Sequence, residues 1–448
     1  MIQGHRPRIC ISLLGSLAEG RSPHWSRTAP ILPYLAEDFD LTVLWDVQPE
    51  RTWSDRSFHS DRTLFSGEPK GAKNAAAKAK ASFQRARLEA KYRRQLQQFA
   101  NQNSEQFDLI VERDWLWRGL VAEAFQAIQC PTLAEVHQGV ESASIVPLAR
   151  SSKILDWFKA RHQPQSQNPL PAKGWESATG ILVSSVQARR AVQKQDPLTA
   201  SKPIHVVSDG VDFDSFKVRD RLSCRLDLGL PESTYVLTYV SQLDDFQEAA
   251  PLIEALGRSR PAQAVLHVVG DGAARPALEK LAQDYGSAVV FHGELPAADA
   301  ARYMAAADLC LAPQSADAGW PTASQTLREA LACGRPVVST PEDVLAPDLE
   351  ARGWGWPVEN SVAAYSRFFC ALPSRDRLHA MADRLEDNVR RGQLQAQGIL
   401  LSWREVAEQY KRIFWDSLLP AASKFASGQE AVCAGFPGRR SASVRRSA

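Results

Sequence analysis

The segment from Thr322 to Glu329 carries hydroxyl, amide and carboxylate groups at helical spacing. Thr322 followed by Gln325 fits a capping box, so the sequence predicts a helix that begins at Thr322, passes through Glu329 and ends near Gly334. The first amides of such a helix have no partner within it and lie at the positive end of its dipole. We therefore expect an anion site there, able to hold a diphosphate without a metal ion. Its residues are Thr322, Ala323, Ser324 and Gln325.

Glycines end two strand-like runs upstream of this segment. Gly270 and Gly272 follow HVV, and Gly293 follows AVVFH. Glycine lets a backbone approach a ligand closely, so these positions are candidate ligand-binding residues. The Gly-x-Gly spacing is also typical of an ordinary turn between a strand and a helix, and that alternative stays open.

Polar residues close two strands in the first half. His137 ends the run PTLAEVH, and Glu112, Arg113 and Asp114 end the run DLIVE. Ligands of open parallel sheets bind at the carboxyl ends of the strands, which makes these four residues site candidates. A lone histidine is more often structural than catalytic, so His137 needs further support.

Apolar runs of strand length alternate with longer helical patterns throughout the chain, from RICISLL and LTVLW to DLCLAP and RPVVST. This alternation predicts an α/β fold with two Rossmann-like domains, each built on a parallel sheet. We expect a first domain over residues 1–216, a second over 217–398, a closing helix over 399–419 and a disordered tail over 420–448. Residues 222–231 read as the connection between the domains.

The closing helix and two turns position the candidate site. Trp403, Tyr410 and Phe414 share one face of the closing helix, which predicts that this face packs on an apolar surface. Asp209 and Gly210 predict a turn with a positive φ at the glycine. The loop after the first strand, residues 15–20, begins with Gly15 and Ser16.

A basic segment over about residues 66–106 interrupts the first domain, and its strong helix formers predict a long, exposed helix. It is either a solvated insertion or a basic face that touches anionic lipid or an acidic acceptor. The latter would place the protein at the inner face of the membrane.

The composition excludes several classes of protein. The net charge of +2 argues against a nucleic-acid-binding protein. No apolar run reaches the length of a membrane span, and the apolar start reads as a strand rather than a signal peptide. Seven scattered cysteines without CxxC spacing indicate neither a disulfide framework nor a zinc site, and fit a reducing cytoplasm.

Four segments carry a resemblance to a known family: HVVGDGAARPALEKLAQDYGSAVVFHGELPAADAARYMAAADLCLAP, LREALACGRPVVST, VSDGVDFDSF and SWREVAEQYKRIF. The first three resemble motifs of the nucleotide-sugar-dependent glycosyltransferases of family 4, and the fourth resembles the closing helix of that family. The resemblance implies the GT-B fold, in which the parallel sheets of the two domains face each other across a cleft and the closing helix returns to pack on the first domain. The resemblance extends from about residue 8 to residue 415 and is weakest across the basic segment.

The resemblance implies a function and roles for the residues. The protein would transfer a sugar from a nucleoside diphosphate sugar to a saccharide, lipid-linked or small-molecule acceptor, with retention and without a metal or other cofactor. Glu329 would accept hydrogen bonds from the nucleotide ribose, and His137 would contact the transferred sugar. Gly15 and Ser16 would lie under the diphosphate. Donor contacts would also come from Gly270, Gly272 and Gly293, and acceptor contacts from Glu112, Arg113 and Asp114.

The chain departs from this family at three positions. Gln242 and Gln247 stand where the family has an Arg and a Lys that neutralise the leaving diphosphate, and Pro321 replaces a Glu eight residues before Glu329. Losing one such charged contact costs about 3 to 4 kcal/mol of transition-state stabilisation. An active enzyme in which Gln242 donates a neutral hydrogen bond and a catalytically silent, glycan-binding or regulatory relative both remain open. A GT-B epimerase or phosphorylase has no motif of its own here.

Overall fold

The computed structural model describes residues 6–13, 27–45, 57–59, 90, 93–113, 119–136, 176–195, 201–286, 288–314 and 324–419. Several predicted site residues lie outside these ranges. They are Gly15, Ser16, Asp114, His137, Thr322 and Ala323.

The first sheet has seven described strands, all parallel, in the order β3-β2-β1-β4-β5-β6-β7. Its strands are β1 (Arg8–Ser12), β2 (Asp40–Trp45), β3 (Ser57–His59), β4 (Leu109–Glu112), β5 (Thr132–Val136), β6 (Gly180–Val183) and β7 (Ile204–Val206). The helices α1 (Leu32–Leu35), α2 (Leu120–Gln126) and α3 (Val186–Gln195) connect them. The central strands are buried on both faces, which explains why they read as continuous apolar runs.

The second sheet has six described strands, again all parallel, in the order β10-β9-β8-β11-β12-β13. Its strands are β8 (Tyr235–Val240), β9 (Ala264–Val269), β10 (Val289–Phe291), β11 (Leu309–Ala312), β12 (Val337–Ser339) and β13 (Gly355–Pro357). The helices are α4 (Arg221–Asp227), α5 (Phe246–Ser259), α6 (Arg275–Tyr285), α7 (Ala297–Ala306), α8 (Gln325–Ala332), α9 (Ala346–Ala351), α10 (Val362–Cys370), α11 (Arg375–Arg390), α12 (Gln393–Ala396) and α13 (Trp403–Leu418). The two parallel sheets confirm the predicted α/β class.

The last helix, α13, belongs to the second half of the sequence but packs on the first sheet. Tyr410 and Phe414 are buried in the same apolar core as Ile9 and Ile11 of β1, and Trp403 packs at its margin. A true capping box starts the helix, since the Ser402 side chain and Glu405 each bond the backbone of the other. The helix therefore ties the end of the described chain to the first sheet.

The segment predicted to connect the domains is partly helical. Residues 221–227 form α4, which Asp220 caps by accepting a hydrogen bond from the Ser223 amide at 2.7 Å. Cys224 packs with Ala305 and Ala306 of α7, so α4 is part of the second domain. Most of this segment is thus a capped helix rather than an irregular stretch, and its role as the connection between the domains stays a prediction.

The turn at Gly210 was also predicted with the wrong geometry. Gly210 does not have a positive φ. A Cβ atom there would lie 2.9 Å from the Trp403 Cα atom and 2.8 Å from its ring, so close approach of the closing helix accounts for the glycine. The next residue, Val211, donates its amide to the Leu401 carbonyl at 2.7 Å.

Two further features bear on the sequence predictions. Residues 93–102, at the end of the basic segment, are helical, and Leu96 and Ala100 are buried against Phe125 and its neighbours rather than exposed. Within the described part of the chain, no helix is long and apolar enough to cross a membrane.

Candidate functional site

Helix α8 begins two to three residues later than predicted. Ser324 is the N-cap and its hydroxyl accepts a hydrogen bond from the Leu327 amide at 3.4 Å, so the cap is Ser324 rather than Thr322. A serine two residues along offers the same side-chain acceptor, which spacing alone did not distinguish from the predicted Thr322–Gln325 box. The helix ends as expected, because Gly334 has a φ of +72°.

Glu329 lies on the second turn of α8 and is partly buried. Gln325, one turn earlier, donates a hydrogen bond from Nε2 to Glu329 Oε1 at 3.0 Å and a second to the Gly210 carbonyl at 2.9 Å. Burial raises the pKa of Glu329 to about 7, against the lowering effect of the Gln325 hydrogen bond, and the charge of Asp212 raises it further. A carboxylate so held is ready to accept hydrogen bonds from hydroxyl groups.

Asp343 organises the start of α8, and the sequence argument missed it. Its carboxylate accepts hydrogen bonds from the Ser324 amide at 2.9 Å, from Gln314 Nε2 at 3.0 Å and from the Leu345 amide at 2.9 Å. The Ser324 amide is therefore engaged within the protein rather than presented to an anion. The sequence position of Asp343 could have identified it, because this residue follows the carboxyl end of the strand β12, where site residues of parallel sheets lie.

Gly270 and Gly272 have a structural reason to be glycine. A Cβ atom on Gly270 would lie 1.8 Å from the Ser241 carbonyl oxygen, and one on Gly272 would lie 2.5 Å from the Leu243 backbone. Gly270 also donates its amide to the Gly293 carbonyl at 2.7 Å. The loops after β8 and β9 thus pack directly on each other, and the role of these glycines in ligand binding stays a prediction.

The two glutamines that replace the family cations differ in exposure. Gln242 is exposed just beyond the end of β8. Gln247 is partly buried in the first turn of α5. Its backbone N–H donates to the side chain of the N-cap Asp245 at 2.9 Å, and its backbone carbonyl accepts a hydrogen bond from the Asn360 side chain at 3.0 Å. Helix α8 approaches the same strand end, since the Thr326 hydroxyl donates to the Val240 carbonyl at 2.7 Å. The structure therefore gathers Gln242 and α8 at the carboxyl edge of the second sheet.

Charged residues link α8 to Asp209, which follows β7, and to Arg27 in the first domain. Arg328, only 4% exposed, lies 3.8 Å from Asp209, which lies 3.4 Å from Arg27. Burial lowers the pKa of Arg328, and Asp209 opposes that effect. These contacts bring a positive side chain from each domain to one buried carboxylate beside the Gln325–Gly210 contact.

Glu112 and Arg113 do not fit the predicted acceptor-binding role. Glu112 is 2% exposed and caps α2, because its two oxygens accept the amides of Gly119 at 2.7 Å and Ala122 at 2.9 Å. Arg113, also 2% exposed, forms an ion pair with Glu135 and donates to the Tyr410 hydroxyl at 2.6 Å. Both side chains are committed to internal contacts, so an acceptor could not reach them without breaking those contacts.

Among the described residues, no group of three or more His, Cys, Asp or Glu side chains is arranged to hold a metal ion.

Residues 234–372 match the family described as "Glycosyl transferases group 1". The chain is 27% identical over 247 residues to D-inositol 3-phosphate glycosyltransferase 1 of Catenulispora acidiphila, a match that covers 51% of this chain and 58% of that relative. The chain thus spans less than two thirds of the length of this curated relative.

Solved structures resemble nearly the whole chain. Sucrose-phosphate synthase from Thermosynechococcus elongatus superposes with a TM-score of 0.64 at 16% identity, covering 92% of this chain and 99% of that one. The HepE protein of Anabaena, solved in complex with UDP-glucose, gives a TM-score of 0.59 at 16% identity, covering 91% and 99%. The resemblance stated from the sequence is therefore confirmed: the chain has the GT-B fold, and its residues 234–372 match the group 1 glycosyltransferases.

Proposed function

We propose that the protein transfers a sugar from a nucleoside diphosphate sugar to a saccharide, lipid-linked or small-molecule acceptor. The observation that carries this proposal is the Gln325–Glu329 pair on α8, at the carboxyl edge of the matched domain. Glycosyltransferase class follows from the family and fold, and the HepE protein, which was solved with UDP-glucose, supports this kind of donor.

In this proposal Glu329 accepts hydrogen bonds from the ribose of the donor. The diphosphate lies at the start of α8, where the helix dipole favours negative charge, with Gln242 donating one neutral hydrogen bond and backbone amides after Gly15 completing the site. Because the Ser324 amide is bonded to Asp343, the proposed contribution of α8 comes from Gln325, and Thr322 and Ala323 are kept as proposed donor contacts from the residues before the helix.

The remaining catalytic roles are proposed from the family resemblance. His137 contacts the transferred sugar, and reaction proceeds with retention and without a metal ion or other cofactor. Of the acceptor residues predicted from the sequence, Asp114 remains a candidate, since Glu112 and Arg113 are internal. Closure of the two domains around both substrates would exclude water that hydrolyses the donor.

We place this activity in the cytoplasm. The six described cysteines are all free thiols, as in proteins of reducing compartments. Contact of the basic segment with the inner face of a membrane is retained as part of the proposal, and its described end, residues 93–102, is packed on the first domain.

A panel of nucleotide sugars tests the proposal. Each donor is assayed for thermal stabilisation of the full chain and for slow hydrolysis, with the corresponding nucleoside monophosphate sugar as control. At least one diphosphate sugar is expected to raise the melting temperature through mass action. Absence of binding by every donor in the panel would refute the enzyme proposal.

The second candidate is a catalytically silent GT-B protein that binds a glycan or regulates a partner enzyme. The neutral side chains at Gln242 and Gln247 and the proline at position 321 favour it, because three polar contacts of the family are missing together. Turnover that disappears with Glu329→Ala would eliminate this candidate. Donor or glycan binding without turnover, for every acceptor offered, would support it.

A further inference from the structure

A group of positive side chains surrounds one buried carboxylate at the opposite edge of the second sheet. Asp308 has no exposed side-chain surface and immediately precedes β11. Arg225 lies 2.7 Å from its Oδ2 atom, while Arg221 at 3.3 Å, His379 at 3.1 Å and Arg375 at 3.8 Å approach Oδ1. We call Asp308 with these four side chains the Asp308 cluster.

The inner part of the cluster is structural. Arg225 is 2% exposed and donates to the carbonyls of Ala306, Glu232 and Thr234 as well as to Asp308. The Val236 amide donates to the same Asp308 oxygen at 2.8 Å. These contacts fix α4 to the amino ends of β8 and β11. Arg225 and the Val236 amide together satisfy the Oδ2 atom of Asp308.

The outer part of the cluster consists of Arg221, Arg375 and His379. The two arginines carry more positive charge than one carboxylate neutralises, and the three side chains offer more hydrogen-bond donors than the carboxylate of Asp308 can accept. Arg221, Arg375 and His379 share the single remaining carboxylate oxygen, and their side chains are 16%, 29% and 30% exposed. At 3.8 Å, the Arg375 Nε atom is beyond hydrogen-bond distance of Asp308, and it has no hydrogen-bond partner among the described residues. A buried N–H group without an acceptor is costly, so an added acceptor at this point is favoured.

The wider surroundings are also positive. Burial lowers the pKa of Arg221, and the neighbouring charges of Arg225, Arg335 and Arg375 lower it further, against the raising effect of Asp308. Glu386 is paired with Arg335 and Arg390, whereas Asp220, the N-cap of α4, interacts with the charges of Arg221 and Arg335. Helix α11 has sixteen residues and begins at Arg375, which adds the positive end of its dipole.

We propose that Arg221, Arg375 and His379 form a binding site for a phosphate-class oxyanion, either free phosphate or the phosphate group of a small metabolite. Guanidinium groups suit this ligand because they offer paired N–H donors to phosphate oxygens. The site is separate from the candidate donor site, since the cluster lies at the amino ends of β8 and β11 and α8 at the carboxyl edge. β8 alone has six residues, or about 17 Å of strand.

The proposal is independent of the sugar-transfer activity and is tested by binding. The full chain is titrated calorimetrically with inorganic phosphate and, separately, with a hexose phosphate, at an ionic strength held constant with chloride. The double variant Arg221→Gln, Arg375→Gln is expected to bind at least about tenfold more weakly, the equivalent of one charged hydrogen bond. Arg391→Gln, which changes an exposed arginine at the far end of α11, is the matched control and is expected to bind like the parent chain.

Circular dichroism verifies that each variant is folded, and the single variants Arg375→Gln and His379→Gln serve if the double variant is not. Tighter binding of the hexose phosphate would identify a phosphorylated metabolite as the ligand, and equal binding would identify the free ion. The proposal is overturned if chloride alone reproduces the effect of phosphate, or if the cluster variants bind phosphate as tightly as the Arg391→Gln control.

Discussion

Gln325 Nε2 lies 3.0 Å from Glu329 Oε1 and 2.9 Å from the Gly210 carbonyl oxygen, so one side-chain amide joins the candidate ribose-binding acid to the backbone that follows β7. Gly210 also contacts Trp403 of the closing helix. The two residues are so close that a side chain at position 210 would overlap the Trp403 ring and Cα atom. The orientation of Glu329 is therefore set by contacts that span both sheets.

The first prediction concerns Glu329. Glu329→Ala is expected to weaken donor binding by about 10- to 100-fold, the value of one hydrogen bond to a charged group, and to abolish turnover. Titration calorimetry and an initial-rate assay measure the two effects. Glu279→Gln, on the surface of α6, is the control and should leave both unchanged.

The pKa of Glu329 gives this prediction a pH dependence. Since that pKa is about 7, the side chain is mostly protonated below this pH and ionised above it. Hydroxyl groups donate more strongly to a carboxylate than to a neutral carboxyl group, so donor affinity should rise as the pH rises through about 7. Glu329→Gln should make the profile flat across this range. The same rise in the variant would assign the titration to another group.

The second prediction restores the missing cations. Neutral hydrogen bonds contribute about 0.5 to 1.5 kcal/mol and charged ones about 1.5 to 3, so Gln242→Arg with Gln247→Lys should raise turnover about tenfold or more. Gln242 is exposed, which leaves room for the longer side chain. The control Gln283→Lys with Gln397→Lys adds the same charge elsewhere. If the site variant gains nothing while Glu329→Ala still abolishes turnover, then Arg328 or Arg27, already held beside Asp209, is the better candidate for the charge-neutralising residue.

The third prediction separates a structural from an acceptor-binding role for Arg113. Its guanidinium joins Glu135 of β5 to Tyr410 of α13, so Arg113→Ala removes the buried positive partner of Glu135 and should destabilise the first domain by about 3 to 5 kcal/mol. Arg93→Ala breaks an exposed ion pair with Glu123 and should cost less than about 1 kcal/mol. Urea unfolding followed by tryptophan fluorescence measures both. A fully stable Arg113→Ala protein with a raised KM for acceptor would return Arg113 to the acceptor site.

The sequence predicted the strands, the α/β class and the aromatic face of α13, because each depends on a local apolar pattern that tertiary packing reinforces. The return of α13 to the first sheet was expected only from the family resemblance. It could not rank the polar residues at the strand ends. Glu112 and Arg113 occupy positions typical of site residues, yet their partners, Gly119, Glu135 and Tyr410, come from elements up to 297 positions away in sequence. Such long-range pairing, like the contact between Gly210 and Trp403, leaves no local signature.

The last prediction concerns two histidines on the second sheet. His267 Nδ1 and His292 Nε2 lie 2.9 Å apart, their rings are stacked with centroids 5.2 Å apart, and the Tyr303 hydroxyl lies 3.1 Å from His292 Nδ1. At most one proton can occupy the short contact between two ring nitrogens, so a second positive charge there is unfavourable. Burial, with smaller effects from His292 and Arg225, lowers the pKa of His267 to about 4.

A histidine whose pKa is lower in the folded than in the unfolded state makes folding weaker in acid. As the pH falls from about 6.5 to about 4, His267 binds a proton in the unfolded chain but stays neutral in the folded chain. The free energy of unfolding therefore falls by up to about 3 kcal/mol through His267. Carboxylates also titrate in this range, so the informative quantity is the difference between variants. His267→Gln should lose stability less steeply with acid than the parent chain, whereas Gln283→Ala, which changes an exposed side chain on α6, should follow the parent. Urea unfolding at a series of pH values measures how steeply the free energy of unfolding changes with pH in each variant. Equal slopes for His267→Gln and the parent chain would show that folding does not lower the pKa of His267.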